Sequence, residues 1–173
     1  MKVSSKSPYG NIDRGILQAI GLAVVNYSLL EEYLALGVSF LVTGTLPDDA
    51  AEIMVTALHF RAVLDTFGCL YRHRFPQDDF RDLTKICNEL GKLNDERNHL
   101  VHSFWSSGKA ADQLTRYRTA VRRGGRKKWE ENVSEADVLR LAERAEETAD
   151  RLLDFVASCI LPRIEGVIPQ RRS

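Results

Sequence analysis

The sequence predicts an all-α fold: a four-to-five-helix up-down bundle, with a β-hairpin or ordered loop inserted between the third and fourth long helices. Apolar residues recur at three- and four-residue intervals along four long stretches, the rhythm of amphipathic helices. Helix-starting and helix-stopping residues stand between those stretches. One segment, 106–133, has a different character: Leu114 to Arg123 is rich in Thr, Tyr and Val, and Gly124-Gly125 supplies a turn that could fold it back on Arg126 to Val133.

The first helix is predicted over residues 12–43, with Ile16, Ile20, Val24, Tyr27, Leu30, Leu34 and Leu41 facing inward and Gly44 as its stop. Leu46-Pro47 breaks the chain, and Asp48-Asp49 caps a second helix that runs to about His73 with Ile53, Leu58, Phe60, Val63, Leu64, Phe67 and Leu70 as its apolar set. Pro76 closes that connection. The third helix starts at Asp78 or Asp79 and carries Phe80, Leu83, Ile86, Leu90, Leu93, Leu100, Val101 and Phe104. The fourth opens at Ser134, with Asp137 three residues on as a near capping box, and ends at about Leu161 before Pro162. Its inward residues are Val138, Leu141, Ala145, Ala149, Leu152, Val156 and Ile160.

Of the 173 residues, 44% are hydrophobic and 28% charged, the balance of one soluble globular domain over 1–173 with flexible tails at about 1–10 and 165–173. Lys+Arg and Asp+Glu both total 24, so no net field attracts polyanions and a generally polybasic binder is excluded. Charge is uneven, however. From Lys109 to Lys128 eight basic residues (Lys109, Arg116, Arg118, Arg122, Arg123, Arg126, Lys127, Lys128) face one acid, Asp112. Three cysteines, Cys69, Cys87 and Cys159, form no pairing or metal-ligand pattern and read as small hydrophobes within helices. No metal and no cofactor is expected. The apolar run Ile12–Val42 is interrupted by Asp13, Arg14, Glu31 and Glu32, which favours a core helix over a membrane span, and the expected compartment is the cytoplasm.

The third helix holds one residue out of keeping with its face. At about 100° per residue, Arg97 points along the same direction as Ile86, Leu90, Leu93 and Leu100. A guanidinium there needs a partner, a ligand or a second subunit. Asn94, Asn98 and His102 form a polar strip at the edge of that face, Asn98 and His102 being one turn apart. Arg binds phosphate as a planar fork and His exchanges protons near neutrality. Together they suit RNA cleavage by the 2′-hydroxyl of the substrate's own ribose, and the basic segment downstream would hold flanking phosphates through Arg116, Arg118, Arg122, Arg123, Lys127 and Lys128. The same residues also fit an internal ion pair of Arg97 with Glu31 or Asp65, or an anchor at a dimer seam. Trp105 and Trp129 fit base stacking or capping of the bundle end, His59 and His73 polar helix positions, and Asp78-Asp79 a helix cap.

The run Asp95-Glu96-Arg97-Asn98-His99-Leu100-Val101-His102 resembles the signature of the HEPN superfamily (higher eukaryotes and prokaryotes nucleotide-binding): an Arg, a polar residue and, after a short spacer, a His near the end of a core helix. Glu31 and the Phe60-Arg61-x-x-x-Asp65 run are also similar to that family's helices. The resemblance spans about residues 12–160, with the basic insertion at 106–133 as a departure from the minimal bundle. It implies a HEPN-like homodimer whose two Arg/His sets line one cleft, acting as a metal-independent endoribonuclease, often a toxin or defence factor with an antitoxin or nucleotidyltransferase partner. It equally accommodates a non-catalytic dimeric module that binds a partner protein, nucleotide or RNA. Carried over, Arg97 contacts the scissile phosphate, His102 is the general acid/base and Asn98 orients one or the other, with Asn94, Glu31 and Asp65 in support; His99 projects elsewhere.

Overall fold

The computed structural model describes residues 14–45, 49–107, 113–122 and 125–164, with backbone alone at 52, 107, 113, 118–122 and 125–127. The expected tails at 1–10 and 165–173, and the cap at Asp48, lie outside the described residues. The protein is mostly helical: α1 (Arg14–Thr43), α2 (Asp49–Thr56), α3 (Phe60–Arg74), α4 (Arg81–Val101) and α5 (Glu135–Phe155), with three strands, β1 (Phe104–Ser107), β2 (Gln113–Arg122) and β3 (Gly125–Ser134), between α4 and α5. A π-helical turn (Val156–Ile160) and a 3-10 turn (Leu161–Arg163) follow α5, so the regular helix ends earlier than periodicity suggested. The chain folds as two compact units interleaved in sequence, Met1–Val25 with Asp95–Arg144, and Asn26–Asn94 with Ala145–Ser173.

In the helical unit, residues 26–94 with 145–173, the core is built from Leu30, Leu34, Phe67, Leu83, Leu90, Leu93, Leu152 and Ile160, each essentially sealed from solvent. Phe155 meets Phe67 edge-on at 6.3 Å and Tyr71 at 5.1 Å between ring centres. Gly44 ends α1 at φ 68°, a left-handed conformation, and its N–H bonds the Phe40 carbonyl at 3.0 Å. Two further terminal carbonyls are covered by Arg74, whose Nε donates to the Leu41 oxygen and whose Nη2 donates to the Val42 oxygen at 2.9 Å. The predicted single helix from Asp49 to His73 is two helices. His59 adopts an extended backbone, φ −76° and ψ 152°, and its carbonyl caps the new helix by accepting from Ala62 and Val63. The break re-aims the chain and leaves Ile53 and Leu58 exposed, contrary to their predicted inward role.

The other unit, residues 1–25 with 95–144, packs Ala19 and Ala23 of α1 with Leu100, Val133, Val138 and Ala142. Ile20, Trp105, Leu139 and Leu141 lie against that cluster. Its sheet is antiparallel in the order β1-β2-β3. The β2–β3 hairpin is one of the two forms, hairpin or ordered loop, that the sequence allows for this segment; β1 departs from expectation, because Phe104 continues the apolar rhythm of α4. The helix ends at Val101, and both Val101 and Phe104 are exposed. The start of α5 matches its expected cap: Ser134 Oγ donates to Asp137 at 2.6 Å, Ser134 N–H donates to the same carboxylate at 2.8 Å, and Asp137 N–H returns to Ser134 Oγ at 3.2 Å.

Two sequence expectations change. Cys69 is exposed rather than buried, whereas the half-buried Cys87 thiol is pushed above its ordinary pKa by burial. And α1 contains a window of mean hydropathy 1.3, so length and composition alone would let it cross a membrane, despite its scattered charges. A core helix passes the same test, and α1 contributes Ala19 and Ala23 to one core and Leu30, Leu34, Val38 and Leu41 to the other.

Gly44→Ala should cost about 1–2 kcal/mol in urea unfolding, because alanine disfavours the left-handed region and its Cβ would stand 2.8 Å from Arg74 Nη1. Gly44→Asn, which tolerates that conformation better, should cost less; equal losses would remove backbone strain as the cause. Asp78 accepts hydrogen bonds from Tyr71 Oη at 2.7 Å and Arg163 Nη1 at 2.6 Å, and these, Tyr71 first, hold its carboxyl below the usual carboxylate range. A lowered folded pKa means stabilisation that is complete above about pH 4 and fades as pH falls through the folded value. Unfolding curves for Asp78→Asn should therefore lose less stability between neutral and strongly acidic pH than the parent; parallel pH profiles would contradict this.

Candidate functional site

The last turn of α4 carries the residues singled out above. Along that helix Leu83, Ile86, Leu90, Leu93 and Leu100 are buried at alternating spacings of three and four, and Arg97 occupies the one position of the series that is not apolar. It is half-buried, and its Nη1 donates to Asn98 Oδ1 at 3.1 Å. An acceptor on the neighbouring residue thus helps to orient the guanidinium. His102 is exposed just beyond the helix, where its N–H continues the helical pattern by bonding the Asn98 carbonyl at 3.0 Å. On the helix wheel Arg97 and His102 stand about 140° apart, with Asn98 between them.

Local packing secures this turn. The Trp105 indole donates to the Leu100 carbonyl at 3.0 Å, and Ser103 Oγ donates to the His99 carbonyl, so orphan carbonyls at the helix end find partners. Arg144 Nη1 binds both oxygens of Glu96 at 3.0 and 3.1 Å. Trp105 also lies under the guanidinium of Arg116, 5.8 Å from the ring centre, which assigns this tryptophan to structure rather than to an open stacking surface.

The predicted phosphate-binding set divides. Arg116 has little exposed side chain and is ion-paired with Glu131 across β2 and β3. Lys128 is exposed. Arg118 and Arg122 on β2 and Lys127 on β3 are placed by backbone register alone, opposite Trp129, Gly125 and Ala120 respectively. Arg123 lies outside the described residues. The supporting residues belong to the helical unit: Asn94 accepts from Tyr27 Oη at 2.9 Å, Asp65 pairs with Arg61 at 3.4 Å with both side chains well exposed, and Glu31 is half-buried on α1.

Beside the candidate site is a cleft of about 240 Å³ lined by His99, Arg116, Trp129 and Glu131. The expectation that His99 projects elsewhere than His102 fails, since residues three apart stand only about 60° apart on the helix wheel, and His99 borders the sheet here. Only the strand register, which aligns Arg116 with both Trp105 and Glu131, could have revealed the cleft. Among the described residues no three His, Cys, Asp or Glu side chains are grouped to hold a metal ion. No family model, curated protein or solved structure matches this chain. The chemical argument therefore rests on the site itself: a fixed cation, an amide that orients it and an exposed imidazole, all within six residues.

Trp105→Phe keeps the ring but loses the bond to the Leu100 carbonyl. It should lower stability by about 1 kcal/mol, measured by chemical denaturation. An unchanged midpoint would show that the indole N–H does not secure this turn.

Proposed function

We propose that this protein is a metal-independent, HEPN-type endoribonuclease acting as a homodimer in the cytoplasm, with Arg97 and His102 as its catalytic residues. The observation that carries the reading is the replacement of leucine by a half-buried arginine in the α4 series, oriented by Asn98 and followed one turn later by the exposed His102. In this mechanism neutral His102 accepts the ribose 2′-hydroxyl proton. The 2′-oxygen attacks the adjacent phosphorus, the bond to the 5′-oxygen breaks, and a protonated imidazole, the partner's His102, supplies the leaving oxygen with its proton. Arg97 offsets the negative charge that grows on the non-bridging oxygens. The products carry a 2′,3′-cyclic phosphate and a 5′-hydroxyl. A toxin or defence role, checked by an antitoxin or nucleotidyltransferase partner, is consistent with such an activity.

One observation favours a non-catalytic HEPN-like binding module instead: Arg116, the first of the expected phosphate-binding residues, is already neutralised by Glu131. The two readings part in one assay. Purified protein incubated with single-stranded RNA in EDTA should give cyclic-phosphate ends, and Arg97→Ala or His102→Ala should slow cleavage by about 10²- to 10⁴-fold with the oligomeric state retained. Cutting at the parental rate by both variants refutes the site. Absence of cutting with every RNA tested, alongside retained binding, supports the module.

A further inference from the structure

The two sides of the sheet differ in what they present. Strand alternation and register put Trp105, Leu114, Arg116, Trp129 and Val133 on one side. Leu114 and Val133 are buried, and Trp105 packs on the helical residues. The other side carries Phe104, Thr115, Tyr117, Lys128, Glu130 and Asn132. There Thr115 is buried and donates its hydroxyl to Asn132 Oδ1 at 3.0 Å, which pins the register near the root of the hairpin. Phe104 and Tyr117, directly opposite each other on β1 and β2, are 57% and 38% exposed, their ring centres 6.4 Å apart and their planes inclined by 47°. Contact between the rings accounts for their pairing. It does not account for leaving so much aromatic surface in water.

Charge and position indicate what covers these rings. By register the Tyr117 side carries Lys128 and Arg126 against one acid, Glu130, which stands opposite Tyr117, while Arg116, Arg118, Arg122 and Lys127 fall on the other side. Lys128 is exposed, and the register aligning Thr119 with Lys128 and Val121 with Arg126 continues the Tyr117 side along the hairpin. At the other end, Phe104 follows His102 by two residues, so their Cα atoms lie within about 7 Å. Exposed aromatic rings on adjacent strands, with cations farther along the same side, form a surface on which unpaired bases can stack regardless of sequence.

We propose that this side of the sheet is a track for single-stranded RNA, in which Phe104 and Tyr117 stack successive bases while Lys128 engages the backbone and the strand leads to His102. The proposal rests on the ribonuclease reading only for where the strand is delivered; stacking requires no cleavage.

The test uses a fluorescein-labelled oligouridylate, with binding followed by fluorescence anisotropy in EDTA on full-length His102→Ala protein, so that the strand stays intact. Adding Phe104→Leu and Tyr117→Leu retains apolar bulk but removes both aromatic faces, and should weaken binding by about tenfold or more at unchanged circular dichroism. Phe104→Tyr with Tyr117→Phe should bind as the parent does. Lys128→Gln should reduce the slope of log affinity against log salt by about one. Undiminished affinity in the double leucine variant overturns the track, as does loss of self-association by that variant with RNA affinity unchanged, which would make the face a protein seam. Aromatic-dependent binding by a protein that, with His102 intact, never cuts RNA leaves the track standing and removes the ribonuclease reading; cutting at parental rate and affinity by Phe104→Leu/Tyr117→Leu protein with His102 intact does the reverse.

Discussion

A guanidinium at a position where helix periodicity calls for leucine is the constraint around which this end of the molecule is organised. Leu83, Ile86, Leu90, Leu93 and Leu100 of α4 are buried, so position 97 is aimed at the same side as its neighbours. A cation placed there gives up hydration and must find compensating acceptors. Asn98 supplies one of them. Two carboxylates of this unit pair with other cations, Glu96 with Arg144 and Glu131 with Arg116. As a device for stability alone an arginine there is a poor one, since leucine at 97 would complete the series.

Much of the architecture could be read from residues with a specific backbone role. Gly44 stops α1 because it alone accepts φ 68° without a Cβ penalty, and Ser134-Glu135-Ala136-Asp137 starts α5 through reciprocal bonds that the spacing requires. Where such residues are missing, pattern was a poor guide. Between α2 and α3 the sequence Thr56-Ala57-Leu58-His59 contains neither Gly nor Pro, yet the helix is interrupted, and its apolar spacing then assigns Ile53 and Leu58 to the wrong side. A break that depends on how each half packs leaves no mark in local composition.

The candidate site was legible to the same extent and for the same reason. Arg97 stands out by comparison with its own helix, which needs no knowledge of other elements. The fate of Arg116 could not be inferred in that way. Its partner Glu131 is fifteen residues away, and its position over Trp105 depends on β1, a strand whose residues continue the apolar rhythm of α4. The basic count from Lys109 to Lys128 is correct as arithmetic but does not say which cations are spent inside the fold.

The change of period just after His102 links these points. While the chain is helical, residues 97, 101 and 104 share a side; once it becomes extended at Phe104, successive side chains alternate across a sheet. Phe104 leaves the face to which a helix would have assigned it and emerges at 57% exposure, while the next residue, Trp105, turns inward to bond the Leu100 carbonyl. Had the helix continued for one more turn, Phe104 would have stayed on the side of Arg97 and Val101 instead of facing Tyr117 across the sheet. Ending the helix at Val101 is therefore what leaves an aromatic ring exposed two residues after His102, and the indole hydrogen bond of Trp105 to the last helical turn is part of what makes that ending specific.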